Sequence, residues 1–243
     1  MNIKGISNLS LVDWDGEVCT TLFFGLCNFR CPYCQNTPLV HNSDKLKTFT
    51  VKEVLKILKK NRNIIDAVCL SGGEPTLTNG CLEDFLLDLK NLGFKIKLDT
   101  NGTLAWGVEG CLNEGLIDYV ALDVKAPLNV YDYSKATGVD ISEDTLATII
   151  QFIDFLKKSK YDYEFRTTVV PKLHTTRSIE EICRYAIAGG KRYVIQNFWN
   201  SGDILSPKFR KTKPFSDRTL RRFAKIAKPY VKDVIIRNLS RNL

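Results

Sequence analysis

No apolar run in this 243-residue chain approaches the roughly 18 consecutive residues a membrane-crossing helix needs. The N-terminus, Met1 to Asn8, is short and polar and lacks the apolar core of a secretion signal. Long linkers, low-complexity tracts and internal repeats are also missing. These absences predict a cytoplasmic protein of one domain, and a chain this long can bury a full core. Eight cysteines would suggest disulfides in a secreted chain; without an export signal they point to metal binding or buried thiols. Cys19, Cys69, Cys81, Cys111 and Cys183 are scattered with no paired spacing and read as structural. Histidine is scarce: His41 and His174 are the only two, and both read as loop residues rather than ligands.

What is present is an ordinary globular composition, 44% apolar and 26% charged, with an uneven charge. The net charge is +8, yet the segment from Lys208 to the end holds twelve Lys or Arg against Asp217 and Asp233. That tail carries +10 and leaves the rest slightly acidic. A basic end could dock an acidic partner or nucleic acid, and a solvated helix face explains it equally well. The tail lacks the regular interleaving of aromatic and basic residues that base stacking would want, so nucleic acid is disfavoured.

Short β-branched runs alternate with amphipathic stretches along the chain. Strand candidates are Val18–Phe24, Ala67–Ser71, Lys95–Asp99, Tyr119–Val124, Tyr163–Val170, Arg192–Phe198 and Asp233–Arg237. Helical patterns fall between them. Val51–Lys60 follows Thr50, with Glu53 completing a capping box. Leu82–Leu92 stops at Gly93. Thr145–Lys158 follows, then Ile179–Ala188 opened by Ser178 and closed by Gly189-Gly190, and finally Asp217–Ala227 before Pro229. Alternating units of this kind predict an α/β fold with parallel strands and helical crossovers, a partial (β/α)6 barrel. Residues 1–207 form its core, and the basic helix and strand of 208–243 complete the same domain.

Ligands gather at the carboxyl ends of strands in such folds. The polar clusters sit there: the cysteine loop after Phe24, Ser71-Gly72-Gly73-Glu74-Pro75, Asp99-Thr100-Asn101-Gly102 and Asp123-Val124-Lys125. Cys27, Cys31 and Cys34, spaced Cys-x3-Cys-x2-Cys, are the strongest signal. Three thiolates suit an iron–sulfur cluster. A zinc site would need a fourth ligand, for which Cys19 or His41 stands at no convincing spacing. Gly72 and Gly73 would let backbone approach a ligand closely. Asp99 and Asp123 require pairing or water at strand ends; Lys125 and Arg166 could each supply a cation. A capping role for Asp99 and a structural ion pair for Arg166 are open alternatives.

Cys27-Asn28-Phe29-Arg30-Cys31-Pro32-Tyr33-Cys34 resembles the signature of the radical S-adenosylmethionine superfamily. Ser71-Gly72-Gly73-Glu74-Pro75 resembles its Gly-Gly-Glu-Pro segment. Tyr33-Cys34-Gln35-Asn36, Asp99-Thr100-Asn101-Gly102 and Asp123-Val124-Lys125 look like the glycyl-radical-enzyme activating proteins. The likeness covers roughly Glu17 to Phe198. It implies one [4Fe–4S] cluster on Cys27, Cys31 and Cys34, with an iron open to S-adenosylmethionine. It gives Tyr33 and Asn36 to the adenine, and Gly72, Gly73 and Glu74 to the methionine amino group. Asp99, Thr100 and Asp123 would help hold a monovalent cation, with Lys125 positioning the cosubstrate and Arg166 pairing a carboxylate.

The expected partners are a glycyl-radical enzyme and a one-electron donor such as flavodoxin or ferredoxin. The pyruvate formate-lyase activators usually carry a histidine at the end of the sixth strand. Here that run reads Gln196-Asn197-Phe198-Trp199-Asn200, with Gln196 or Asn200 in its place. This moves the expectation towards the activators of anaerobic ribonucleoside-triphosphate reductase. A small-molecule enzyme resembling 7-carboxy-7-deazaguanine synthase is the alternative. No cysteine-rich insertion or late cysteine cluster calls for a second cluster.

Overall fold

The computed structural model describes residues 1–78 and 80–239. Arg241 and the rest of residues 240–243, the end of the basic tail, lie outside the described residues. In chain order the elements are β1 (Ile3–Ser10), β2 (Cys19–Phe24), α1 (Thr37–Val40), α2 (Val51–Asn61), β3 (Ala67–Gly72), α3 (Leu82–Asn91), β4 (Lys95–Thr100), α4 (Ala105–Asn113) and β5 (Tyr119–Asp123). There follow α5 (Val130–Thr137), α6 (Glu143–Lys158), β6 (Asp162–Val169), α7 (Thr176–Glu181), a π-helical turn (Ile182–Ala186), β7 (Arg192–Asn197), α8 (Pro207–Arg210), α9 (Asp217–Ala227) and β8 (Asp233–Arg237). The strands lie in chain order in one eight-stranded sheet. This α/β fold with mostly parallel strands meets the expectation from the alternating pattern. Among the described residues no helix is long and apolar enough to cross a membrane.

The chain divides into two compact units. The first holds residues 1–28, 38–100 and 104–121. There β1 pairs antiparallel with β2, and β2, β3 and β4 pair in parallel register, Cys19 beside Ala67 and Ala67 beside Lys95. Helices α2 and α3 bury Val54, Leu58, Phe85, Leu86 and Leu89. Thr50 caps α2 as expected: its side chain accepts from the Glu53 amide while Glu53 reaches back to the Thr50 amide.

The second unit holds residues 29–37, 101–103 and 122 onward. Strands β6, β7 and β8 pair in parallel, Phe165 beside Tyr193 and Tyr193 beside Val234. Helix α9 buries Leu220, Phe223, Ala224 and Ala227. Burying a side chain the size of Phe223 contributes about 1.5–3 kcal/mol. Ser216 caps this helix through the Thr219 amide.

Four elements stand out as differing from the sequence expectations. Strand β1 lies in the segment read as a polar N-terminus; it pairs with β2 across register shifts, bridges Phe49 at Ile3 alone and is partly exposed, so its sequence shows no clean alternation. Helix α4 carries Gly107 and Gly110, and α5 is short and rich in β-branched and aromatic residues, so neither shows a helical signal. The helix expected at Ile179–Ala188 starts at Thr176, capped by Thr175 with Ser178 as its third residue, and widens to a π turn from Ile182.

Candidate radical site

In the first unit, β2 ends at Phe24 and the chain passes through Gly25 and Leu26 to Cys27. Leu26 adopts φ 70°, a left-handed turn that carries the chain out of the strand. The Gly-Gly segment explains this turn. Gly73 donates to the Phe24 carbonyl at 2.8 Å, and Glu74 donates to the Leu26 carbonyl at 2.8 Å. A Cβ on Gly73 would lie 1.8 Å from the Leu26 oxygen, and one on Gly72, at φ 108°, would lie 2.6 Å from the Phe24 nitrogen. Both glycines are therefore demanded by backbone packing under the start of the cysteine loop. That reason is distinct from the close ligand approach read from sequence.

Glu74 is buried, 2% exposed. Its Oε1 accepts from the Thr100 hydroxyl at 2.8 Å and the Thr76 hydroxyl at 2.7 Å. The carboxylate thus ties the β3 loop to the end of β4, and Thr100 is committed to that tie. Asp99 accepts from the Ser71 hydroxyl at 2.9 Å, and its other oxygen lies 3.2 Å from Lys97 Nζ. Sequence reasoning missed Lys97. It stands two residues before Asp99 between apolar Ile96 and Leu98, so strand alternation puts Lys97 and Asp99 on one face. That period of two was the available signal.

In the second unit the cysteine loop continues through Cys31, Tyr33 and Cys34. None of the three motif cysteines is disulfide-bonded. The loop is held by its backbone. The Cys34 amide donates to the Cys31 carbonyl at 2.9 Å, and the Arg30 amide donates to the Thr137 carbonyl at 2.8 Å. Pro32 and Cys34 carbonyls accept from the amides of Ser206 and Leu205, each at 3.0 Å. Gly138 ends α5 in a left-handed turn at φ 70°, where a Cβ would lie 2.2 Å from the Arg30 oxygen. A helix-ending glycine thus fixes the loop, and its sequence signal was lost with the unrecognised α5. Burial raises the Cys34 thiol, partly offset by the Asn36 amide and the Lys125 charge.

Tyr33 is buried and its hydroxyl has no hydrogen-bond partner among the described residues. Burial pushes that phenol well above its ordinary range, with Cys31, Lys125, Asp123 and Cys34 all within electrostatic reach. Asn36 is exposed and bridges in backbone register with Asp203.

Asp123 ends β5 between two cations. Its Oδ1 accepts from Arg166 Nε at 2.6 Å and its Oδ2 from Lys125 Nζ at 2.7 Å. Burial alone would raise this carboxyl, but Arg166 and Lys125 hold it well below the usual carboxylate range. Burial would lower the Lys125 ammonium; Asp123, Tyr33 and Cys31 instead hold it well above its ordinary value. The pairing foreseen for Lys125 and Arg166 falls on Asp123 in this unit, while Asp99 has Lys97. Two further residues fix Lys125 and were not foreseen. Its amide donates to the Tyr133 hydroxyl at 3.3 Å, and its carbonyl lies 2.9 Å from His174 Nε2. His174 Nδ1 accepts from the Val170 amide at 3.0 Å, so Nε2 carries the proton of a neutral ring. Burial lowers the His174 pKa, which favours that neutral form. This loop histidine is a buried structural residue.

Gln196 is half-buried on β7 and Asn200 is exposed beyond it. Among the described residues no three His, Cys, Asp or Glu side chains converge as one metal ion would require. A cubane poses a different demand, because each thiolate binds a separate iron. The chemistry of the donors fits that group: three cysteine thiols on one short loop, none of them in a disulfide, with the Lys125 ammonium within electrostatic reach of Cys31 and Cys34.

Residues 21–186 match the family model described as the radical SAM superfamily. The chain therefore belongs to the radical SAM superfamily, enzymes of [4Fe–4S] clusters and S-adenosylmethionine. A relative from Methanocaldococcus jannaschii, named "Putative glycyl-radical enzyme activating enzyme", is 33% identical over 98% of this chain and 96% of its own length. A 7-carboxy-7-deazaguanine synthase from Clostridium acetobutylicum is 26% identical over 65% of this chain and 73% of its own. The crystal structure of Streptococcus suis SuiB bound to S-adenosylmethionine shares the fold, with a TM-score of 0.67 at 18% identity over 90% of this chain. The chain spans about half the length of that structure, 52%.

Proposed function

We propose that this protein cleaves S-adenosylmethionine reductively and generates a glycyl radical on a partner enzyme, the anaerobic ribonucleoside-triphosphate reductase. The end-to-end kinship with the archaeal activating-enzyme relative carries this reading, since it spans the cysteine loop and the basic tail alike. Cys27, Cys31 and Cys34 would hold one [4Fe–4S] cluster and leave its fourth iron to the cosubstrate's amino and carboxylate groups. When bound, the cluster would supply the one electron needed for reductive cleavage of S-adenosylmethionine, with a Cα hydrogen of the partner's glycine as the target.

The chain's own residues would position and protect. Glu74 locks the Gly72-Gly73 turn under the cysteine loop through Thr76 and Thr100. The unpartnered Tyr33 hydroxyl offers a hydrogen bond to the cosubstrate, with exposed Asn36 beside it at the adenine. Lys125, fixed by Asp123, Tyr133 and His174, presents a permanent positive charge suited to the methionine carboxylate. Arg166 shares Asp123 and keeps that carboxylate ionised.

The test is anaerobic reconstitution with S-adenosylmethionine and the reductase, followed by electron-resonance spectroscopy. A glycyl doublet on the reductase is the expected result. A silent partner alongside released 5′-deoxyadenosine would sink the assignment while leaving the superfamily intact. The relative from Clostridium acetobutylicum supports a second reading, a radical enzyme acting on a small purine-like molecule. Turnover of such a substrate with no protein partner present would favour it.

A further inference from the structure

The stretch of chain just before the basic C-terminal segment is joined to the cysteine loop by hydrogen bonds within the second unit. The chain leaving β7 returns to the loop, where Leu205 and Ser206 donate to the carbonyls of Cys34 and Pro32 at 3.0 Å. Lys208 follows three residues after Leu205, so chain length alone keeps its Cα within about 10 Å of that contact. Two turns then keep the segment compact: Phe209 donates to the Ser206 carbonyl and Thr212 to the Phe209 carbonyl, each at 3.0 Å. Phe209 and Thr212 are buried, while Lys208, Lys211 and Lys213 are exposed. Arg210 bridges Asp203 at 3.2 Å, but none of those three lysines has an ion-pair partner among the described residues.

Phe215 then anchors the start of α9, edge-on to Phe223 at 5.2 Å and hydrogen-bonded through its amide and carbonyl to the Asn197 side chain. On α9, Arg218, Arg221, Arg222 and Lys225 recur at helical spacing on the exposed face. Exposed cations thus begin within three residues of the contact with Cys34 and continue on the exposed face of α9. Counter-charge in this stretch is limited to Asp217 and Asp233, and Asp233 is bridged to Arg192.

We infer that this surface docks an acidic one-electron donor protein and brings its redox centre to the cysteine loop. The inference rests on the proposed function, which requires one electron per cleavage; the donor is oxidised by one electron as the cluster is reduced by one. Electron transfer falls steeply with distance, so a docking patch must adjoin the loop, and this one begins two residues after Ser206, which is hydrogen-bonded to the loop. Redox encounters use small, charge-steered interfaces, which exposed lysines suit and a packed apolar patch would not.

The probe is an acidic ferredoxin carrying [4Fe–4S] clusters, titrated calorimetrically into the full chain in about 0.02 M and about 0.2 M salt. Wild type is expected to bind at low salt and to weaken at high salt. The triple variant Lys208→Glu, Lys211→Glu, Lys213→Glu is expected to lose at least about tenfold in affinity and most of the salt dependence. The double variant Arg221→Glu, Lys225→Glu, farther along the chain on α9, should lose less. In parallel, titanium(III) citrate, a small reductant that needs no docking, reduces the loaded protein, and 5′-deoxyadenosine is counted.

Normal cleavage with titanium(III) citrate but equal ferredoxin affinity in wild type and triple variant overturns the docking inference alone. Failure to take up iron or to cleave the cosubstrate overturns the proposed function beneath it. Displacement of ferredoxin by a duplex oligonucleotide that binds more tightly also overturns the inference, in favour of a nucleic-acid surface.

Discussion

Two regions of this protein gather sulfur, and they do so for opposite ends. In the sheet, Cys69 Sγ donates to Cys19 Sγ at 3.4 Å, and Cys19 donates in turn to the Ser10 carbonyl at 3.5 Å. Trp14 and Ala67 pack around the pair, with Tyr119 against Trp14 at 5.6 Å between rings. The Cys19 bond and burial push the Cys69 thiol far up, so it stays protonated. In the loop, Cys31 and Cys34 are pinned by backbone bonds, and the Lys125 charge favours the Cys34 thiolate against its burial. Sulfur proximity alone therefore does not make a metal site. The proposed cluster site on the loop differs in its fixed backbone and its nearby cation, which matter because the ligand is the thiolate.

The largest test of this contrast replaces the cysteines. Single Cys→Ala changes at Cys27, Cys31 or Cys34 should reduce bound iron to background by metal analysis and visible absorption. Cys19→Ala with Cys69→Ala should load iron as wild type does and cost only about 1–2 kcal/mol per site in urea unfolding. Iron lost equally from both sets would erase the distinction.

Next comes the charge beside the loop. Asp123→Asn strands the Lys125 and Arg166 cations, and breaking a buried ion pair costs about 3–5 kcal/mol. It should also weaken S-adenosylmethionine binding measured by equilibrium dialysis. Undiminished stability and binding would show that the loop sulfurs need no electrostatic support.

Glycine substitutions sharpen the comparison sterically. Gly73→Ala forces a Cβ against the Leu26 carbonyl and should cost about 3 kcal/mol or more, with reduced iron loading. Gly107→Ala on α4, where nothing lies within 4 Å, should gain up to about 1 kcal/mol and leave loading unchanged.

The smallest effect is the pH response of His174. Its folded pKa lies below the ordinary 6.5, so the folded state takes up a proton less readily than the unfolded chain. Its stabilisation is full above about 6.5 and is lost as the pH falls towards the folded pKa, at no more than about 1.4 kcal/mol per unit. Thermal unfolding of His174→Gln should show a flatter profile over that acid window than wild type.

Much of this was legible in the chain. The alternation of β-branched runs with capped helices yields the parallel sheet, and the Thr50–Glu53 box and the α9 boundaries stand as read. The polar clusters do follow the carboxyl ends of β2, β3, β4 and β5. Elements without local signal were lost: β1 because its partial exposure and register shifts leave no clean alternation, and α4 and α5 because their propensities are poor. Gly138 and Tyr133, both on or at the end of α5, were lost with it.

The sequence by itself determined the donor set, three thiols spaced on one short loop, and the strand-end placement of Glu74, Asp99, Asp123 and Lys125. Those are local facts of order along the chain. The tertiary structure alone decided that Arg166 meets Asp123, why two glycines must stand in a row, and that the distant Leu205-Ser206 stretch returns to Cys34 and Pro32. The physical reason is range. Capping and strand period act over a few residues, whereas the Glu74–Thr100 tie and the Arg166–Asp123 pair join residues 26 and 43 apart in sequence, and Leu205 reaches back to Cys34 from still farther along the chain, once the sheet has ordered its strands.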